Sequence, residues 1–130
     1  MKSRWNQALV VTNNFVHRTM LSFHLAKHGF IVTVAAAAQE AFRLAEKKHF
    51  GLVITDSQTP QGSGVDLIRQ LRFLGPYDEC PMVVLADEHE DLDVDYVRGE
   101  LWALVIREPC NLAEVVERIA AFYVPEQSSC

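Results

Sequence analysis

Basic clusters are missing from this sequence. Its 12 Lys and Arg residues are scattered over 130 positions, 17 Asp and Glu outnumber them, and the formal charge is -5. Holding nucleic acid or an anionic membrane by charge takes a concentrated basic patch, so direct binding to either is not expected. Long apolar runs are missing too: none approaches the roughly 20 residues that span a bilayer. The start, Met1-Lys2-Ser3-Arg4-Trp5-Asn6-Gln7, lacks the apolar core of a secretory signal. Cysteine is scarce. Cys80, Cys110 and Cys130 form no C-x-x-C pair and have no histidine at zinc-ligand spacing, which argues against a disulfide framework or a structural zinc site and fits reduced thiols in a cytosolic protein. The expectation is a cytoplasmic chain with one domain over 1–124 and a tail or the start of a linker over 125–130.

What the chain does have is a series of short apolar runs bounded by turn residues. One of them, Leu52-Val53-Ile54-Thr55, ends abruptly in Asp56. Ser57, Gln58, Thr59, Pro60 and Gly64 follow, and then the helical pattern from Val65 to Arg72. A strand that runs into a carboxylate and a Pro- and Gly-containing loop is the sequence form of a buried parallel strand delivering Asp56 to a sheet's carboxyl edge. In open α/β sheets that edge is where ligands and chemistry sit. Asp56 is therefore the first candidate functional residue.

The other runs repeat the theme. Strands are predicted at 8–11, 31–34, 52–55, 82–85 and 101–106, and helices at 15–28, 39–48, 65–74 and 112–123, with Gly29 and Gly75-Pro76 as stops. The acidic stretch 88–95 carries a weaker pattern and is predicted as a short or frayed helix. Continuously apolar strands alternating with helices through short connections imply parallel pairing, right-handed crossovers and helices on both faces. The fold class is α/β, a doubly wound sandwich.

In order and spacing, these features resemble a response-regulator receiver domain, the CheY-like phosphoacceptor module of two-component signalling, from Ala8 to Phe122. The resemblance rests on Leu9-Val10-Val11 before a polar turn with Arg18 on the next helix, on the Asp56 run with Pro60 and Gly64, on the strand after Pro81, and on Pro109 after the last strand. It implies a flavodoxin-like three-layer sandwich, with five parallel strands in the order 2-1-3-4-5 and five helices. It also implies a set of functional positions. The phosphoacceptor falls on Asp56, and the Mg²⁺-binding acidic pair falls on Thr12 and Asn13. The hydroxyl residue after the fourth strand falls on Ala86, the lysine before the last proline on Glu108, and the aromatic switch residue on Val105.

Only Asp56 keeps the family's residue type. Mg²⁺ favours hard, anionic oxygen ligands, so Thr12 and Asn13 predict a weak or absent metal site. Glu108 puts an anion where a phosphoryl group needs a counter-charge. Ala86 cannot donate a hydrogen bond to a phosphate, and Val105 cannot report one by turning a ring. No cofactor is expected. The reading is a pseudo-receiver, a non-enzymatic signalling module for protein contacts; the alternative is a working phosphoacceptor phosphorylated on Asp56 by a histidine kinase. Asp56 is otherwise a relic carboxylate bonded by Asn13 or backbone amides, or, with Asp87 and Glu108, part of an acidic cluster that takes a cation. Partners implied by the resemblance are a histidine kinase, an output domain, or a second copy through the helix 4, strand 5, helix 5 face.

Other residues have plainer readings. His24 and His28 stand four apart on one helix without a third ligand in view. Arg107 and the acidic run Glu88, Glu90, Asp91, Asp93 and Asp95 read as solvated surface, and Trp102 reads as core unless exposed, when it would anchor an interface. A flavin protein is disfavoured because Thr12-Asn13-Asn14-Phe15 offers little of a phosphate-binding loop. A hydrolase is disfavoured because no nucleophile, base and orienting group come together at the strand ends.

Overall fold

The computed structural model describes residues 5–121. Five parallel strands, β1 (Gln7–Val11), β2 (Ile31–Ala35), β3 (Leu52–Asp56), β4 (Met82–Asp87) and β5 (Leu104–Glu108), form one sheet in the order β2-β1-β3-β4-β5. The connecting helices are α1 (Phe15–Lys27), α2 (Ala38–Lys47), α3 (Gly64–Arg72), α4 (Val94–Gly99) and α5 (Leu112–Ala121). The flavodoxin-like order implied by the resemblance is the observed one. Predicted features at 122–130, including the end of the last helix, the tail and Cys130, lie outside the described residues.

Alternation along the strands sorts the core into two layers. Ala8, Val10, Leu52, Ile54, Val83 and Leu85 pack with Leu21 and Leu25 of α1 and Val116 and Ile119 of α5. Leu9, Val11, Val53, Val84, Ala86 and Val105 pack on the other face with Ala41, Leu67, Ile68 and Val97 from α2, α3 and α4. Thr12, Asp56 and Glu108 share the parity of Val10, Ile54 and Ile106 in the paired register, so all three belong to the α1–α5 face. Ala86 and Val105 belong to the opposite one.

Two expectations need correction. The helix predicted over 88–95 is a loop, and α4 starts only at Val94, where Asp93 caps it by accepting the Tyr96 N–H at 3.0 Å. The acidic residues before it are not helical because Glu90 spends its carboxylate on Ser57 and Gln58. The strand predicted from Leu101 begins at Leu104 instead. Trp102 has φ 55°, a left-handed conformation that no strand accepts, and the carbonyls of Leu101 and Trp102 are taken by Arg72. A short hairpin, Gln58–Thr59 with Gly62–Ser63, and a 3₁₀ turn, Gly75–Tyr77, complete the described chain.

Candidate functional site

The loop after Asp56 folds straight back onto β3. Gly64 N–H donates to Ser57 O at 2.8 Å, and a Cβ on Gly64 would lie 2.1 Å from the Asp56 carbonyl oxygen. Only glycine fits that approach. Thr55 Oγ1 donates to the same carbonyl at 2.9 Å, so the end of β3 is fixed and the Asp56 side chain projects from a rigid base.

Thr12 stands one residue past β1. Its N–H donates to Ala35 O at 2.9 Å, its Oγ1 accepts the Asn14 N–H at 2.9 Å, and it donates to Asp56 Oδ2 at 2.5 Å. Asn14 then caps α1, its Oδ1 accepting the His17 N–H at 2.9 Å. The cap sets His17 in the first turn, above the sheet edge. There Nδ1 of His17 lies 2.7 Å from Asp56 Oδ1 and Nε2 lies 2.7 Å from Glu108 Oε2. The histidine side chain is only 13% exposed and that of Asp56 14%. The hydrogen bond to Asp56, helped by the charges of Asp56 and Glu108, outweighs burial and raises the His17 pKa above the ordinary histidine value.

A second set of bonds immobilises the loop between β4 and α4. Ser57 Oγ donates to Glu90 Oε1 at 2.5 Å and Gln58 Nε2 to Glu90 Oε2 at 3.0 Å. Arg107 Nη1 donates to the carbonyls of Asp87 at 2.9 Å and Glu90 at 2.6 Å. Burial pushes the Glu90 carboxyl up, but these hydrogen bonds, the Asp87 N–H and the Arg107 charge hold it below the ordinary glutamate value. Arg107, read from sequence as a surface residue, is thus a clamp on this loop.

An open cleft of about 560 Å³ lies over the edge, walled by His17, Asp56, Asp87, His89, Glu90 and Glu108. The three acidic residues grouped from sequence share this cleft without meeting one another directly: His17 stands between Asp56 and Glu108, and Asp87 Oδ1 accepts the His89 N–H at 3.2 Å. Asn13 is exposed, and the Asp56 hydrogen bond ascribed to it from sequence comes from Thr12. Ala86 and Val105 are buried in the opposite core layer. His24 lies against the Phe23 ring, and His28 is the exposed C-cap of α1. Among the described residues no three His, Cys, Asp or Glu side chains are arranged to hold a metal ion.

The model for the response regulator receiver domain matches residues 8–120. The chain belongs to that family. The receiver is 36% identical over 77 residues to an uncharacterized 14.6 kDa protein of Leptolyngbya boryana, a match covering 59% of each chain. It is 24% identical over 125 residues to the transcriptional regulatory protein SrrA of Staphylococcus aureus, covering 95% of this chain and 50% of the relative. The solution structure of a response regulator from Burkholderia multivorans superposes with a TM-score of 0.72 at 33% identity, covering 91% of this chain and 94% of that one. The receiver therefore spans between about half and three fifths of the length of those two curated relatives.

Sequence reasoning placed Asp56 and Glu108 at this receiver's edge but passed over His17. Two signals pointed to it. Asp56 and Glu108 at the ends of two strands are two carboxylates that call for a nearby cation, and Asn14 three residues before His17 is a capping spacing that fixes where the ring must sit.

Proposed function

We propose that this receiver works as a protein-interaction module in a two-component-type pathway without Mg²⁺-dependent phosphorylation of Asp56. The reading rests on one observation: both Asp56 oxygens are already engaged, Oδ2 by the Thr12 hydroxyl and Oδ1 by His17. A carboxylate attacks phosphorus through a free oxygen, with cations neutralising the transferred group. The donor set does not suit Mg²⁺, because Thr12 is neutral and already bonded, Asn13 is exposed, and an imidazole with a raised pKa occupies the space beside Asp56.

Receiver domains exchange signals with histidine kinases and output domains, and the relative SrrA is a transcriptional regulator. Exposed apolar side chains support a partner-binding role here: Phe15 is 68% exposed and Phe23 58% on α1, and Trp102 69% just before β5. Trp102 is exposed, the condition under which sequence made it an interface anchor. With Leu104 it places apolar surface on the α4–β5–α5 side where a second copy is proposed to pair. A kinase-driven phosphoacceptor is the second reading, favoured by Asp56 facing an open cleft.

The deciding experiment is incubation with Mg²⁺ and acetyl phosphate, or with a beryllofluoride mimic, followed by intact mass and amide chemical shifts, with Asp56→Asn as control. Unchanged mass and shifts are expected. An Asp56-dependent adduct overturns the reading.

A further inference from the structure

We propose that the Asp56–His17–Glu108 bridge is a proton-binding site, and that the proton it holds latches the first turn of α1 to the ends of β3 and β5. This deepens the interaction-module reading by naming what regulates the same edge, and it rests on Asp56 being held by His17 rather than phosphorylated.

The geometry makes the case. Two carboxylate oxygens lie 2.7 Å from the two nitrogens of one imidazole ring. An ionised carboxylate only accepts hydrogen bonds, and a neutral imidazole has one N–H and one lone pair. A neutral ring therefore satisfies one acid and presents its lone pair to the other. Only the imidazolium donates to both at once. The second proton is thus required by the bridge, and losing it releases Asp56 or Glu108 from the ring. Both contacts are long-range, spanning 39 and 91 residues, so each one joins separate elements of the fold.

The surroundings favour the charged ring. Asp56 faces it from β3 and Glu108 from β5, while Asp87 at the end of β4 and Glu88, His89 and Glu90 from the loop before α4 wall the cleft. On α1 itself, the Arg18 guanidinium sits over the Phe15 ring, 5.5 Å from its centre. On α5, which packs along α1, Glu114, Glu117 and Arg118 are exposed. Among the described residues, His17 is the one cation-capable group set between the two acids. Because Glu90 and Arg107 hold the loop before α4 independently, the parts freed by deprotonation are the first turn of α1, with its exposed Phe15 and Val16, and the segment 108–111.

The test is an NMR pH titration of the His17 ring nitrogens in the full chain, from about pH 5 to about pH 9, together with backbone amides at 15–18 and 108–111. At neutral pH both ring nitrogens are expected to carry protons. The midpoint is expected above that of an ordinary histidine and lower in both Glu108→Gln and Asp56→Asn, which keep the ring. The amides are expected to move with the same midpoint, and His17→Gln to abolish that movement. A ring that is neutral at neutral pH, or a midpoint indifferent to Glu108→Gln, overturns the proposal. So does an amide titration that survives in His17→Gln, because it would belong to another group. The two readings fail separately: an acyl phosphate on Asp56 ends the interaction-module reading, whereas an ordinary His17 titration in a chain that takes no phosphate ends only the proton site.

Discussion

At the carboxyl edge of the sheet a histidine stands between two carboxylates; at the amino edge an arginine stands among neutral carbonyls. Arg72, the last residue of α3, donates through Nη1 to the carbonyl oxygens of Tyr77 at 2.6 Å, Asp78 at 3.2 Å and Cys80 at 2.9 Å. Through Nε and Nη2 it reaches Leu101 at 2.8 Å and Trp102 at 3.0 Å. Burial lowers its pKa, yet arginine stays charged at any ordinary pH. Beside it, Tyr77 Oη donates toward Ala45 O and Lys48 O and accepts the Phe50 N–H. Both edges thus use one cation to gather chain segments that are far apart in sequence. Their difference is in the partners and in the cation. Carbonyls and guanidinium do not titrate, so the amino edge is closed permanently. Imidazole titrates near neutrality, so the carboxyl edge is closed conditionally.

The largest expected effect comes from Gly64→Ala. The new Cβ has no room beside the Asp56 carbonyl, and the variant should lose more than about 4 kcal/mol, as strained substitutions at tight backbone contacts do. Urea unfolding measures it. A near-neutral result would mean that the carboxyl edge is looser than its bonding implies. Next, Arg72→Ala removes the amino-edge cation and leaves five carbonyls short of a donor. It should cost about 3 kcal/mol, with Arg72→Lys recovering only part, since a lysine cannot fan out to five acceptors. A lysine variant as stable as the wild type would show that charge alone, without the fork geometry, holds that edge.

The smallest effect separates the two ends by pH. A group with a raised folded-state pKa adds stability that is complete below its unfolded pKa and disappears as pH rises through the folded value. For His17 the wild-type chain should therefore lose about 1 kcal/mol or less as pH rises from the ordinary histidine value through the higher folded one. Glu90, held low, acts in the opposite direction: its contribution is present above the ordinary glutamate value and disappears in acid. In the neutral-to-alkaline window His17→Gln should flatten the slope and Arg72→Ala should leave it unchanged. A slope that survives in His17→Gln would remove the distinction between the edges.

Much of this was legible from the residues. Asp56 followed by Pro60 and Gly64 placed a carboxylate at the carboxyl edge, and strand parity puts Thr12, Asp56 and Glu108 on one face. What went astray lay where side chains override local pattern. The acidic stretch 88–95 looked like a weak helix but is a loop as far as Asp93, because Glu90 bonds Ser57 across the edge instead of facing solvent. Leu101 and Trp102 looked like strand but are held out of it by Arg72. Arg107 looked like a surface residue and is a clamp.

The sequence by itself determined the alternation of strands and helices, the parallel sheet, and the neutral Thr12 and acidic Glu108 at the strand ends beside Asp56. These follow from hydrophobic period, turn residues and side-chain chemistry, all of which are local. Only the tertiary structure decided that His17 stands between Asp56 and Glu108. A charge bridge depends on distances between atoms 39 and 91 residues apart in the chain, and those distances exist only once the sheet has brought the ends of β3 and β5 beneath the first turn of α1.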